Sequence, residues 1–460
     1  MADAKLSEKD IFEKVPVRKA ILAVAVPTVI SQLIVLIYNL ADTWFIGQTG
    51  DPRQVAAVTV SYPLFLLLGG FGNLFGIGGG SMISRLLGRE EAENAGKIGT
   101  FVIWSSVIAT LLYSLVIFGF GRQALSVLGA EGETRGYAEQ YLFWTVVVGG
   151  ILMVLNQVLA NIVRAQGKAR TASIGISVGG VLNVFLDPLF IFGLHMNVAG
   201  AALATCISNV VSVLYLFGHM IRTRKESMVQ LTLVPRRVKL SYMAEVFSVG
   251  APAALQIVLA SISNSVMLRL MSGYVEHAIS GLGIAQKIEM IPFQIVQGLS
   301  SGVLPLIAYN YASGNRKRMD SAVRYSLAAG LAVSVIMFAV VELSAPWLVR
   351  FFISDAATIE YGAAFTRMRC LALPFINIEF MLIAVFQGIG GAKQAFILSF
   401  FRKGIFDLPL MMFADFLWPM YGLMLVAPVM EFLGGSLAVP KTDFGRPQNT
   451  CINLHLPEQM

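Results

Sequence analysis

Residues 20–42 read AILAVAVPTVISQLIVLIYNLAD, with no charged side chain before Asp42. A hydrocarbon core of about 30 Å is crossed by roughly 20 helical residues, so this run is long enough to span a membrane. Outward from it, apolar runs of the same size recur near 19–46, 54–80, 98–120, 137–163, 169–192, 198–221, 241–272, 278–311, 323–343, 358–388, 394–416 and 420–439. The chain therefore reads as an all-α integral membrane protein with twelve transmembrane helices. Composition agrees: 56% of residues are hydrophobic, 13% are charged, and the mean hydropathy is +0.72. A soluble domain averages about 25% charged residues, because its surface must face water. No cleavable signal peptide is expected, since the first apolar run follows a charged stretch and is itself long enough to span.

The net charge of +7 does not point to nucleic acid, because the basic residues form no stripe interleaved with stacking aromatics. They fall instead in alternate loops. One set holds Lys5 to Lys19, Arg85, Arg89, Lys97, Arg164, Lys168, Arg170, the cluster from Arg222 to Lys239, Arg316 to Arg324, Lys393, Arg402, Lys403, Lys441 and Arg446. The other holds only Arg53, Arg122, Arg135, Arg350, Arg367 and Arg369, a ratio of 26 to 6. By the positive-inside rule both termini are cytoplasmic. Adding or losing one span would break the alternation from that point onward, so it also supports the count of twelve.

The two halves repeat. Pro27 and Asn39 return as Pro252 and Asn264, Gly76 and Gly80 as Gly298 and Gly302, and Gln166-Gly167 as Gln387-Gly388. Phe185, Pro188 and Leu189 return as Phe406, Pro409 and Leu410, and Gly200 as Gly422; the offset stays between 221 and 225 residues. Six spans per half is an even number, so the halves enter the membrane in the same direction. They form two six-helix lobes related by a parallel pseudo-two-fold repeat, an arrangement of transporters that alternate access to a central cavity. The expected organisation is a cytoplasmic segment 1–18, an N-lobe 19–221, a basic cytoplasmic linker 222–240, a C-lobe 241–439 and a polar cytoplasmic tail 440–460, which reads as disordered. Two covalently joined lobes make a monomer sufficient.

Ionisable residues at membrane depth cost roughly 2.5–3.5 kcal/mol on insertion scales and mark function by default. In span one, Gln32, Asn39 and Asp42 share a helical stripe; in span five, Ser173, Ser177, Gly180, Asn183 and Asp187 do so. Span four adds Asn161, and span six adds Thr205 and Asn209. Carboxylates with amides and hydroxyls suit a proton or Na⁺. The structural alternatives are that Asp42 caps a helix end and that Asp187 satisfies backbone freed by Pro188. At the repeat offsets, Asp42 corresponds to Met267 and Asp187 to Leu408, with Asp407 one residue away. The C-lobe keeps Gln256, Asn264, Asn377 and Glu379, so ion coupling is expected in the first lobe, and Gln32, Asn39, Gln256, Asn264 and Asn377 are candidates to line a substrate cavity. No metal site beyond Na⁺ at Asp42 and Asp187 is expected, and no cofactor: Cys206, Cys370 and Cys451 and the four histidines fit no ligand spacing. The glycine-rich stretch from Gly72 to Gly80 lacks the Lys-Ser/Thr ending of a phosphate loop and reads as close helix packing or a bend.

Asn39-Leu40-Ala41-Asp42-Thr43-Trp44-Phe45-Ile46-Gly47, Ser84-Arg85-Leu86-Leu87-Gly88, Arg164-Ala165-Gln166-Gly167, Leu182-Asn183 through Leu186-Asp187-Pro188, and Gly200 to Thr205 resemble multidrug and toxic compound extrusion (MATE) transporters. The likeness covers roughly residues 15–439 and is nearest the DinF-type branch, whose cation site lies in the N-lobe. The resemblance implies secondary active export of organic cations by antiport against H⁺ or Na⁺ in the plasma (inner) membrane of a prokaryote. It also implies Asp42 and Asp187 as the coupling carboxylates, assisted by Asn183, Thr205 and Asn161. Span seven holds Ser263 and Asn264 but no acid, which argues against the branch with a C-lobe cation site; the resemblance assigns no role to Glu379. The alternative is a flippase for a lipid-linked oligosaccharide, of related two-lobed fold. Its anionic head group needs several cavity Lys or Arg, whereas only Arg269 and Lys287 lie near membrane depth in the second half. An enzyme is not expected, since no catalytic constellation is present.

Overall fold

The computed structural model describes residues 8–223, 229, 237–400 and 406–438. Among them every regular element is helical. That follows from the solvent: in lipid each backbone N–H and C=O needs an internal partner, and a helix supplies it within one segment. After the short α1 (Glu8–Glu13), the N-lobe comprises α2 (Val17–Gly47), α3 (Pro52–Gly88), α4 (Ala92–Val127), α5 (Gly132–Leu142), α6 (Gly150–Ala165), α7 (Ala169–Pro188) and α8 (Asn197–Arg222). The C-lobe comprises α9 (Leu240–Met271), α10 (Glu276–Ala312), α11 (Arg316–Arg350), α12 (Ala356–Cys370), α13 (Leu373–Ile389), α14 (Ala392–Phe400), α15 (Asp407–Leu417) and α16 (Tyr421–Ala438).

Eight of the described helices are long and apolar enough to cross a membrane by themselves. Two further crossings are bent: α5 with its π-helical continuation Phe143–Val148 meets α6 at 46°, and α12 meets α13 at 42°. The span expected at 394–416 is carried by α14 and α15, with residues 401–405 outside the described part, and the last span is α16. Six crossings on each side of the linker make the two lobes. Most of the linker 222–240 and the tail from residue 439 onward lie outside the described residues. Helix α3, with 37 residues, runs about 55 Å and so projects well past the hydrocarbon.

Local chemistry sets the helix ends. Asp51 caps α3 through Arg53 N with Pro52 in the first turn, Asn315 caps α11 through Arg318 N, and Asp355 caps α12 through Thr358 N. Pro188 has no N–H to give the preceding turn, and the helix slips there into the π-helical Leu189–Gly193.

The lobes meet through the pairs α2–α10 and α3–α9, which the repeat relates to each other. Glycines make the approach possible. A Cβ on Gly250 would lie 1.9 Å from the Leu74 carbonyl oxygen, one on Gly78 2.2 Å from that of Val246, and one on Gly302 2.8 Å from that of Val24. At the Lys/Arg-rich end, Arg85 Nη1 bonds Glu245 Oε2 at 2.8 Å, Tyr242 donates to Glu91 Oε2 at 3.0 Å, and Ser81 donates to the Gln387 carbonyl at 2.5 Å. The segment around α1 adds to this closure. Phe12 is fully buried and stacks on Tyr309 at 4.7 Å, and Arg318 donates to the carbonyls of Ile11, Phe12 and Val15.

Two basic residues that the sequence assigns to loops belong inside. Arg85 is in α3 and 3% exposed; Arg164 is in the last turn of α6 and 7% exposed. At the opposite end Arg53, Arg122, Arg367 and Arg369 each face a carboxylate, on Asp51 and Glu133, Glu139, Glu342 and Glu289 respectively.

Candidate ion and substrate sites

Helix α7 nests between α2 and α8 because two successive glycines face its neighbours. A Cβ on Gly180 would lie 2.8 Å from Ile34 and 3.0 Å from the Tyr38 ring; one on Gly179 would lie 2.0 Å from Ser212 Oγ. This close packing carries Asn183 and Asp187, one turn apart, to Thr205 of α8. Asn183 Nδ2 donates to Asp187 Oδ1 at 3.2 Å and to Thr205 Oγ1 at 3.3 Å. Asp187 is fully buried and Asn183 is 1% exposed. Asp187 Oδ2, Asn183 Oδ1 and Asp42 Oδ1 are buried without a hydrogen-bond partner. Asp42 and Asp187 lie close enough for their charges to interact, with the hydroxyls of Tyr38 and Tyr141 in the same electrostatic neighbourhood.

Neither acid makes the contact that its structural alternative would use. The hydrogen bond of Asp187 is with the Asn183 side chain and not with a backbone carbonyl freed by Pro188. Asp42 sits near the C-terminal end of α2, where the helix dipole disfavours negative charge and a carboxylate caps nothing. Buried polar atoms are nearly always satisfied, and three orphaned oxygens on neighbouring acids and amide are groups that could take up a proton or a small hard cation. The donor set of carboxylate, amide and hydroxyl oxygens fits either.

Beside this cluster the N-lobe encloses a cavity of about 230 Å³. Its lining is amide and hydroxyl rich: Gln32, Asn73, Asn156, Gln157, Asn161, Asn183, Thr205 and Asn209 all contribute, and Gln297 and Ser301 come from the C-lobe helix α10. Asn161 donates to the Gln157 carbonyl at 2.9 Å and lines the cavity, making no bond to Asp187. The glycine-rich run of α3 explains how two amides fit there. A Cβ on Gly72 would lie 2.0 Å from Gln157 Oε1, and one on Gly76 2.8 Å from Asn161 Nδ2. Gln32 reaches Gln297 across the lobes at 3.5 Å.

Gln256 lines a second, smaller space of about 60 Å³ between the lobes, which shares Asn73, Asn161, Gln297 and Ser301 with the first. The other three proposed cavity residues lie elsewhere. Asn39 is exposed and bonds the Val35 carbonyl of its own helix at 2.8 Å. Asn264 is exposed and accepts from Gln286 at 2.8 Å. Asn377 is fully buried against Gly330, where a Cβ would meet Asn377 Oδ1 at 1.9 Å. In the C-lobe, Asp407 is fully buried and accepts the Ser263 hydroxyl, and Glu379 is buried against Gly434 of α16.

Sequence reasoning missed several lining groups. Gln157 donates to Asn73 at 2.6 Å and Asn156 to Asn209 at 2.9 Å. The spacing of Met153, Gln157, Asn161 and Arg164 puts them on one face of α6, a signal present in the sequence but masked by the placing of Arg164 with the loops. Arg269 and Lys287 are exposed and line neither cavity; among the described residues the cation in the lining of the larger one is Arg164.

A family model described as MatE matches residues 27–189 and again 252–413, the two stretches offset as the internal repeat requires. The chain belongs to the MATE family. It is therefore a membrane transporter and not an enzyme. It is 31% identical over 431 residues to the multidrug export protein MepA of Staphylococcus saprophyticus, covering 93% of this chain and 94% of the relative. It is 31% identical over 423 residues to MepA of Staphylococcus aureus strain MRSA252, covering 92% of each. Among solved structures, an outward-facing multidrug resistance MATE transporter of the MOP superfamily superimposes with a TM-score of 0.88 at 23% identity, over 93% of this chain and 95% of that one. A MOP superfamily transporter from Pyrococcus furiosus, described as having a binding pocket of reversed polarity, superimposes with a TM-score of 0.83 at 24% identity, over 93% and 96%. The shared fold is the two-lobed MATE architecture.

Proposed function

We propose that this transporter is a secondary active multidrug exporter that antiports organic cations against H⁺ or Na⁺ by alternating access. The observation that carries the reading is the buried cluster of Asp187, Asn183 and Thr205, with Asp42 beside it and carboxylate oxygens that no protein group satisfies. The multidrug-export names of the staphylococcal relatives support the same direction. Binding of H⁺ or Na⁺ cancels the repulsion between the two acids and lets α2 and α7 repack. A cationic drug favours the ion-free lobe, so ion and drug oppose each other in binding even without shared contacts. Asn161 and Gln32, on the cavity wall, contact the drug rather than the ion.

The ion site in the first lobe fits the DinF-type branch. The lobes are 19–221 and 241–439, joined by the cytoplasmic linker 222–240, and one chain suffices as the working unit. With the Lys/Arg-rich end in the cytoplasm of a bacterial cell, the end of the structure closed by the Arg85, Tyr242 and Arg318 contacts is the inner one. A flippase for an anionic lipid head group would need several cavity cations, and Arg164 is the one in the lining of the described residues.

Dye efflux from cells carrying the protein, with a Na⁺ or a pH gradient imposed in turn, tests the reading. Export should follow one of these gradients and stop when that gradient is collapsed; export that ignores both would contradict antiport. In the same cells, cysteine labelling from outside should mark Gly132→Cys and spare Ser227→Cys, and the reverse pattern would invert the orientation.

A further inference from the structure

We propose that Arg164 is an anion subsite at the floor of the N-lobe cavity, where its guanidinium takes the carboxylate of an amphoteric substrate. This rests on the exporter reading and narrows its substrate class to include compounds carrying both an amine cation and a carboxylate.

Arg164 stands in the last turn of α6, 93% buried if its 7% exposure is counted from unity, and it lines the cavity. Helical side chains lean towards the helix N-terminus, so Arg164 leans from the end of α6 back along the face that bears Asn161 and Gln157. A guanidinium offers five N–H donors, has no acceptor and stays charged. Here Nε is fully buried with no hydrogen-bond partner, and no described carboxylate pairs with the side chain. Arg85, the other buried arginine of this end, also leaves Nε and Nη2 without a partner, but its charge is met by Glu245, which Nη1 bonds at 2.8 Å.

A basic residue in the last turn of a helix is favoured by the dipole, but such a residue ordinarily keeps its head in water or on the terminal carbonyls. Arg164 bonds no described carbonyl, and the little of it that is accessible lines the cavity. A structural ion pair would need an acid within reach, and the charged groups Asp42 and Asp187 are not part of the cavity lining. The remaining polar lining is neutral, from Asn, Gln, Ser and Thr, so the compensating charge must come from what enters the cavity.

The form of the charge is decided by geometry. A planar guanidinium matches a carboxylate as a two-pronged pair, better than it matches a spherical ion. The amide of Asn161 stands one turn away to take a remaining lone pair. Along α6, Met153 and Arg164 are 11 residues apart, about 16 Å of helix, so a ligand can lie lengthwise. Its anionic end meets Arg164, and its cationic end lies towards Tyr38 and Asn183, on the side of the acidic cluster.

The test compares rhodamine B, a zwitterion with a free carboxylate, and its ethyl ester, a cation of nearly the same shape. Transport of both is measured in proteoliposomes with the full chain, Arg164→Gln and Arg164→Lys. The parent should move both dyes. Arg164→Gln should raise the KM for rhodamine B about tenfold, the loss expected for one charged hydrogen-bonded contact, and leave the ester nearly unchanged. Arg164→Lys, which keeps the charge without the fork, should fall between. Equal changes for the two dyes, no change for either, or a parent that moves the ester and not rhodamine B would overturn the subsite and leave the exporter intact. A parent that moves neither dye counts against the exporter reading itself, and the subsite falls with it. Should Arg164→Gln fail to fold, Arg164→Lys decides alone: a selective rise in KM for rhodamine B supports the subsite, and a uniform one overturns it.

Discussion

In the N-lobe, Asp187 is fully buried with one carboxylate oxygen accepting from Asn183 and the other, Oδ2, bonded to no protein group. One residue away from the repeat-equivalent position in the C-lobe, Asp407 is as deeply buried and also accepts a hydrogen bond, but from the hydroxyl of Ser263 on the neighbouring helix α9 rather than from its own helix. The larger cavity follows the same division. Its lining comes from α2, α3, α6, α7 and α8 of the first lobe, with Gln297 and Ser301 the C-lobe contribution. A duplicated architecture has thus kept its backbone plan while its membrane-depth acids have moved to different partners. Glycine close packing is shared by both halves; what differs is where the acid's partner lies, one turn back in its own helix for Asp187 and on the facing helix for Asp407.

The largest effect should come from exchanging single oxygens in the two lobes. Asp42→Asn should reduce dye efflux to the level of cells without the transporter, because the coupling pair loses a carboxylate. Asp407→Asn should keep most of the efflux, since the amide oxygen still accepts from Ser263. Equal loss in both would end the claim that coupling is confined to the first lobe.

A smaller, structural effect separates packing from coupling. Gly180→Ala puts a Cβ 2.8 Å from Ile34 and 3.0 Å from Tyr38, and Gly330→Ala puts one against Asn377 Oδ1. Overpacking of this kind costs about 1–3 kcal/mol. Both variants should melt earlier, but only Gly180→Ala, which pushes α7 away from α2, should lower transport per folded molecule. If Gly330→Ala lowers it as much, the comparison between lobes reduces to general stability.

How much of this could be read in the chain depends on which physical quantity each residue reports. The twelve spans and two lobes follow from hydropathy, charge alternation and a constant offset, all local or one-dimensional. The grouping of Asn183, Asp187 and Thr205 was also legible, the first two from their one-turn spacing and Thr205 from the family resemblance. Asn39, Asn264 and Asn377 were not, because their polarity says nothing of how each helix is rotated. Asn39 bonds its own backbone, Asn264 bonds Gln286, and Asn377 fills the notch at Gly330. Arg164 was hidden for a related reason: its neighbours Lys168 and Arg170 are loop-like, and only the packing of α6 shows that it turns inward.

The smallest effect lies away from both sites. Asp355 Oδ2 accepts from Thr358 Oγ1 at 2.7 Å and Thr358 N at 2.8 Å, and His277 Nδ1 stands 3.0 Å away. The Thr358 hydroxyl above all, then its N–H, holds this carboxyl below its ordinary value of 3.8. A depressed folded value means that the cap stabilises above pH 3.8 and is lost as pH falls through the folded value. Asp355→Ala should therefore melt slightly earlier than the parent at neutral pH, with the gap closing in acid and transport unchanged. A gap that persists below that window would place the stabilisation in packing rather than in the cap.

The central claim is that Asp187 carries the coupling. It is tested by equilibrium binding of a cationic dye to the purified transporter across pH, with and without Na⁺, in the parent and in Asp187→Asn. In the parent, affinity should rise as protons or Na⁺ are withdrawn, since ion and drug oppose each other. In Asp187→Asn, fixed in a neutral state, affinity should become nearly independent of both. A variant that keeps the parent's full dependence on pH or Na⁺ would make Asp187 a structural residue beside a proline and move the coupling site elsewhere.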